Sequence, residues 1–337
     1  MSEDEPILAP SHATWIEKVK SELKGRDIHS FDYLWDGDHI SPFDDFKPIH
    51  RVLGNKKDNE WIIGAYAKGD VARSNKYLLK GLELGASGIL TDVVPGSDFS
   101  KLFRSIHLDW IHSEYRLHDS YSFGRLHDFL KKYPTGNIRG VFWTVYDDQV
   151  DLFQRYYPEF SGFKFLSIQL KVTDSASHIA IQFKHLLDRI GSLSEKYDQH
   201  ILLSNVAIFL AAGEDIILNI SFVRALRLLW IQVLDNLNVD IYRYPIHISG
   251  QVPYLYDVPS DQKIAASLMA TSLVIGGIDV LFIDPDDALL PDPRWGLMAQ
   301  HILKEEARLN KLPDPLAGSV VIEHLTGWIA KKVWSLI

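Results

Sequence analysis

The sequence predicts an α/β protein, a single (β/α)8 TIM barrel preceded by an N-terminal arm of helical and extended character. Three observations predict it. Apolar, β-branched runs alternate with helix-patterned segments along most of the chain, the mark of a parallel sheet with crossover helices. Several of these runs are continuously apolar, as in Val206-Ala207-Ile208-Phe209-Leu210, which suits strands covered by helices on one face and core on the other. There are eight such runs, the count for a closed barrel, and no glycine fingerprint follows the first to favour an open doubly wound sheet.

In order, the expected strands are Glu60–Tyr66, Ser87–Val93, Leu108–Ser113, Arg139–Thr144, Phe163–Leu170, Leu203–Leu210, Tyr242–Ile248 and Asp279–Ile283. Between them, Val71 to Leu84 reads as a helix stopped by Gly85, a residue suited to a C-cap. Ser175 to Ile190 puts Ile179, Phe183, Leu186, Leu187 and Ile190 on one face, and Asp215 to Leu237 repeats apolar residues at helical spacing. Ser260 to Gly276 and Arg294 to Leu309 complete the set. The arm, residues 1–55, begins with an amphipathic helix over Ser11 to Lys24 and continues through a loop rich in Asp, Gly and Pro. Residues 56–337 form the barrel. An arm that cannot bury its own apolar face must dock on the barrel or on another chain.

Composition narrows the function. At 46% hydrophobic and 23% charged the chain has ample material for one large core. Its net charge of −9, with Lys and Arg dispersed, leaves no basic stripe for a run of phosphates, so nucleic acid is not an expected partner. No cysteine is present, which excludes disulfides, thiolate metal sites and cysteine nucleophiles. The first ten residues do not resemble a signal peptide, and no apolar stretch reaches the roughly 18 residues of a spanning helix, Leu202 to Ala212 coming nearest. A cytoplasmic protein with no membrane partner is expected.

The Walker loop, the serine elbow and the zinc helix motif are absent. Barrel chemistry sits at the C-terminal ends of strands, and the expected ends offer Glu114, Trp143 with Thr144, Lys171, Asn205, His247 with Ser249, and Asp284 with Asp286. A lysine past a strand end, Lys171, is the type of residue that forms a Schiff base when its pKa is depressed, although the ordinary reading of such a lysine is that it reaches solvent. Asp284-Pro285-Asp286-Asp287 offers oxygen ligands for a cation, although Asp before Pro is ordinary turn chemistry. Most of the fourteen histidines stand singly, His107 and His112 flanking the third strand among them, and the ordinary role of such residues is hydrogen bonding. His247 is the preferred pocket residue. No metal is assigned.

Several segments carry a resemblance. Asn219 to Trp230 reads N-I-S-F-V-R-A-L-R-L-L-W; Ser74-Asn75 lie within Trp61 to Asp92; Ile246-His247-Ile248-Ser249-Gly250 follows; Pro313 to Ser319 and Val321 to Thr326 close the series. In this order they resemble the barrel of the methylmalonyl-CoA mutase family. Pro10-Ser11, Trp15, Leu23-Lys24-Gly25, Leu34 and Ile40-x-Pro42 resemble the opening of its small subunits, in which the arm is expected to pack on the partner.

The resemblance implies a barrel threaded by CoA from its N-terminal end and capped by adenosylcobalamin at the other, interconverting methylmalonyl-CoA and succinyl-CoA. It also implies departures. Asp58-Asn59-Glu60 stand where the family has a Tyr and an Arg; Gln169-Leu170-Lys171 replaces a Tyr-His pair; Asn205-Val206-Ala207 replaces Arg-x-Ser; and bulky Trp143 fills a glutamine position. The cobalamin signature D-x-H-x-x-G has only a partial echo, Asp27-Ile28-His29-Ser30-Phe31-Asp32, and the chain ends within an expected helix, as a trimmed chain would. The expected role is therefore a non-catalytic small subunit that binds no cofactor alone and pairs with a catalytic large subunit, or with itself in isolation. A catalytic barrel lacking its cobalamin domain, and a repurposed barrel using Lys171 or His247, are the alternatives.

Overall fold

Parallel pairing of the apolar runs is what the chain adopts. A computed structural model describes residues 11–43, 57–134, 136–144, 149–255, 259–284 and 292–337. The barrel strands are β1 (Ile62–Ala67), β2 (Gly88–Val93), β3 (His112–Leu117), β4 (Arg139–Thr144), β5 in two pieces (Phe163–Lys164 and Leu166–Lys171), β6 (Val206–Ala211), β7 (His247–Val252) and β8 (Val280–Ile283). Each pairs in parallel with its neighbours in chain order, and β8 returns to β1 through Val280↔Ile62 and Phe282↔Gly64. The two pieces of β5, interrupted at Phe165, lie at the two ends of the ordered sheet, one on β4 and one on β6. The sheet therefore closes on itself. Gly140 of β4 is needed for that closure, because a Cβ there would lie 1.6 Å from the Ser113 carbonyl oxygen of β3.

Three strand ends differ from expectation, all by a forward shift. The third runs over 112–117 rather than 108–113, the sixth begins after a short helix over Gln199–Ser204, and the seventh runs over 247–252. The misleading residues are apolar but belong to approaches: Leu108, Leu202, Leu203 and Tyr244 are buried outside the strands. In β3 and β7 the inward positions are polar, so the hydrophobic pattern understates the strand there.

Helices α2 (Val71–Glu83), α3 (Phe99–Leu102), α4 (Ser120–Leu130), α5 (Gln149–Tyr156), α6 (Ala176–Leu193), α7 (Gln199–Ser204), α8 (Ile216–Asn236), α9 (Pro259–Gly276), α10 (Arg294–His301) and α11 (Val320–Trp334) cover the barrel, and α1 (His12–Glu22) lies in the arm. Of these, α8, α9 and α11 form its most tightly packed outer group. By length and composition α8 passes for a membrane span, which the apolar-run reading missed; yet 72% of its apolar window is buried inside the protein, with Arg224 and Arg227 among the buried residues. It is a core helix.

The arm is α1 (His12–Glu22), capped by Ser11, then a hairpin of Tyr33–Trp35 and Asp38–Ile40 turning at Asp36 and Gly37, both at positive φ. The hairpin docks on its own barrel. Trp35 packs edge-on against Trp328 of α11 (5.5 Å between ring centroids) and Phe222 of α8 (6.3 Å). Lys332 of α11 binds the turn through the Asp36 carbonyl (2.8 Å) and the Asp38 carboxylate. α1 buries no residue, and Trp15 keeps 40% of its surface exposed.

Candidate active site in the barrel interior

Alternation in each strand sends every second side chain to the barrel axis. Tyr66, Leu90, Val141, Trp143, Ala207, Phe209, Val280 and Phe282 form one inner cluster, and the register places Glu114 between Leu90 and Val141. β3 and β7 stand four strands apart in either direction, on opposite walls. From these walls four polar side chains meet across the axis: His112 and Glu114 from β3, His247 and Ser249 from β7.

Glu114 is their centre. It is fully buried, and its Oε1 accepts from Ser249 Oγ at 2.7 Å and lies 2.8 Å from His112 Nε2 and 3.4 Å from His247 Nε2. Its Oε2 accepts from the indole of Trp143 at 2.7 Å. Burial raises the carboxyl pKa, but the hydrogen bonds and charge of the two histidines outweigh it and hold the group down at about 2. Burial pushes the His247 imidazole the other way from Glu114's pull, lowering its pKa. At neutral pH the cluster is thus a carboxylate held by hydrogen-bond donors.

Nearer the C-terminal mouth lies a second polar layer. Arg116 donates to Tyr66 Oη (2.8 Å) and Gln251 Oε1 (3.1 Å), with its guanidinium 4.7 Å from the Phe209 ring centre. Tyr66 donates to Asp92 (3.0 Å), Gln251 to Asp284 (2.6 Å), and Lys68 pairs with Asp284 at 2.9 Å. Burial, reinforced by Asp92 and Asp284 against the opposing pull of Arg116, raises the Tyr66 pKa, so the hydroxyl keeps its proton. At the opposite, N-terminal mouth, burial lowers the Lys164 amine to about 8 despite the Asp279 charge, and its Nζ donates to the Ser204 carbonyl.

The candidates separate accordingly. Glu114, Trp143, His247 and Ser249 do come together, although in the middle and lower barrel and not at the C-terminal strand ends. His247 is the first residue of β7, at the N-terminal edge. Asn205 is misplaced by the shifted strand: it precedes β6, takes the Phe165 N–H on its Oδ1 (2.6 Å) and donates to the Phe163 carbonyl (3.1 Å), so it staples the break in β5. Lys171 does end β5, but it is exposed; its backbone N–H binds the Asp174 carboxylate (2.7 Å) and its carbonyl accepts the Asp174 N–H (2.9 Å). Lys171→Met should leave stability within about 0.5 kcal/mol, measured by urea denaturation, and borohydride with a carbonyl compound should trap no adduct. Thr144 is buried at the end of β4, and Asp284 belongs to the mouth network. Asp286 and Asp287, with Pro285, lie outside the described residues. The residues missed were Tyr66, Lys68, Asp92, Arg116 and Gln251, with His112 seen only as a lone histidine. The period-two row His112-x-Glu114-x-Arg116 was the available signal.

The segments that carried the resemblance serve as clamps. Arg224 of α8 binds Glu323 (2.6 Å) and Asp314; Arg227 reaches the Ile246 carbonyl (3.0 Å) and Asp279 (3.0 Å); Trp230 donates to the Tyr244 carbonyl (2.7 Å). Asn75 of α2 (Val71–Glu83) ties that helix to the carbonyls of Leu102 (2.8 Å) and Arg104 (3.0 Å).

Comparison with known proteins points the same way. A family model described as methylmalonyl-CoA mutase matches residues 198–337. Methylmalonyl-CoA mutase of Rhizobium meliloti is 30% identical over 142 residues, 39% of this chain and 20% of that protein. The probable methylmalonyl-CoA mutase small subunit of Mycobacterium bovis is 26% identical over 144 residues, 39% of this chain and 23% of that protein. The methylmalonyl-CoA mutase small subunit of Porphyromonas gingivalis is 23% identical over 390 residues, which take in 97% of this chain and 62% of that protein. The first two matches span about a fifth to a quarter of those relatives' length. Arg224, Asp314, Glu323 and His247 all lie inside the matched segment, so it is in this C-terminal part that the chain is similar to methylmalonyl-CoA mutases.

Proposed function

We propose that this chain is a non-catalytic small subunit of a cobalamin-dependent methylmalonyl-CoA mutase, a cytoplasmic protein that acts by pairing with a catalytic large subunit. The observation that carries the reading is the closed barrel axis. Trp143 and Glu114 are wholly buried there, joined to Ser249 and both histidines, with Tyr66, Phe209 and Phe282 packed beside them. A CoA ester threaded through the barrel would have to displace this cluster, leaving an ionised carboxylate without its donors in an apolar surround.

Cobalamin does not fit the residues present. The echo of its signature lies in a single tight turn of the arm, where His29 Nδ1 is 3.1 Å from Asp32 Oδ2. Support for the small-subunit role also comes from relatives of that name, one aligned along nearly the whole chain.

The test is calorimetric titration of the purified chain with methylmalonyl-CoA, alone and with a catalytic large subunit. The chain alone should bind no ester, while the two proteins associate saturably. Micromolar ester binding by the chain alone would overturn the closed-barrel reading, and absence of association would overturn the subunit role.

A further inference from the structure

We propose that His112, Glu114 and His247 form a site for one divalent transition-metal ion, zinc fitting best, which pins opposite walls of the barrel together. This goes beyond the subunit role and does not depend on it.

The geometry carries the proposal. Two imidazole nitrogens and a carboxylate oxygen, one from each residue, all lie within 4.8 Å of one another. Zinc bonds of about 2.0–2.2 Å in a tetrahedron set ligand atoms roughly 3.3 Å apart. The separations here, 2.8 Å from Glu114 Oε1 to His112 Nε2 and 3.4 Å to His247 Nε2, bracket that value. Two histidines with one carboxylate are a borderline nitrogen–oxygen donor set, suited to zinc and poorly suited to calcium or magnesium.

The surroundings match what a metal ligand needs. Trp143 donates to Glu114 Oε2, the oxygen turned away from the histidines, and so fixes the carboxylate with Oε1 toward them. Ser249 Oγ lies 2.7 Å from Oε1 and 3.1 Å from His247 Nε2, placed to orient ligands or to supply a neutral fourth one. The buried carboxylate gains a cation in place of weak donors, which is how interiors ordinarily carry such a charge. Each histidine presents its Nε2 lone pair once its proton sits on Nδ1. Access is from the N-terminal mouth, where the His112 and His247 side chains keep 10% and 13% exposure.

The experiment uses the full chain, stripped with EDTA and titrated with zinc by calorimetry and with cobalt by visible absorption. One ion per chain is expected, with intense cobalt bands of tetrahedral type. Trp143→Phe should weaken binding about 10–100-fold while keeping the band shape; the His112→Ala/His247→Ala double should abolish it. His118→Ala, at a half-exposed histidine near Asp92, should change nothing. Weak octahedral cobalt bands, no zinc heat, or undiminished binding in the double variant would each overturn the proposal. If the variants fail to fold, the wild-type cobalt spectrum and stoichiometry alone decide.

Discussion

Glu114→Gln is expected to destabilise the metal-free protein by about 3 kcal/mol and to remove part of its sensitivity to acid. A glutamine oxygen can take the place of one carboxylate oxygen, but the amide nitrogen then faces Trp143 or the Ser249–histidine group, donor against donor. The pH dependence follows from the depressed carboxyl. Glu114 titrates at about 2 when folded, against 4.5 for the ordinary group. Its contribution is therefore fully present above about pH 4.5 and is lost as pH falls toward 2, worth on the order of 3 kcal/mol by linkage. Urea midpoints measured from pH 7 down to 2.5 should fall more steeply below 4.5 for wild type than for the variant. Parallel curves would show that the cluster does not hold Glu114 ionised.

The second large effect belongs to Arg224. Its guanidinium is buried in α8 and joins Glu323, at the first turn of α11, to Asp314 in the preceding loop. Glu323 also accepts from the Gly318 N–H (3.1 Å). Arg224→Met removes the cation from a nearly inaccessible carboxylate, a change that costs about 3–5 kcal/mol. Replacing both partners, Arg224→Met with Glu323→Leu, should recover much of the loss, because an apolar pair leaves no buried charge. A single variant within 1 kcal/mol of wild type in denaturant unfolding would mean that solvent reaches the pair.

How far the sequence could be read follows from which force each residue answers to. β6 was legible because five apolar residues in a row have little choice but a buried strand. β3 and β7 were displaced because their inward residues are His112, Glu114, Arg116, His247, Ser249 and Gln251, and a hydrophobic pattern cannot register polar residues that satisfy one another across the barrel. The site was half legible for the same reason. Glu114, Trp143, His247 and Ser249 were each singled out, but their meeting depends on strands 135 residues apart in sequence for Ser249 and Glu114. Asn205 was misplaced through local position, since it lies before its strand, whereas Lys171 reaches solvent from its strand end, the ordinary role of such a lysine. The departures from the family pattern were legible residue by residue, while the meaning of Trp143 needed its partner Glu114.

The burial of α8 has a consequence for how the protein dies on heating. While the barrel is intact, its long apolar flank is covered and its two arginines are neutralised inside. Once the surrounding helices part, that same 21-residue segment becomes the most adhesive piece of an open chain. Aggregation should then outrun refolding, so heat inactivation is governed by the rate of opening and not by an equilibrium. The apparent melting temperature would rise with scan rate and drop as protein concentration increases, and the clamps at Arg224 and Arg227 would act chiefly as brakes on that first parting.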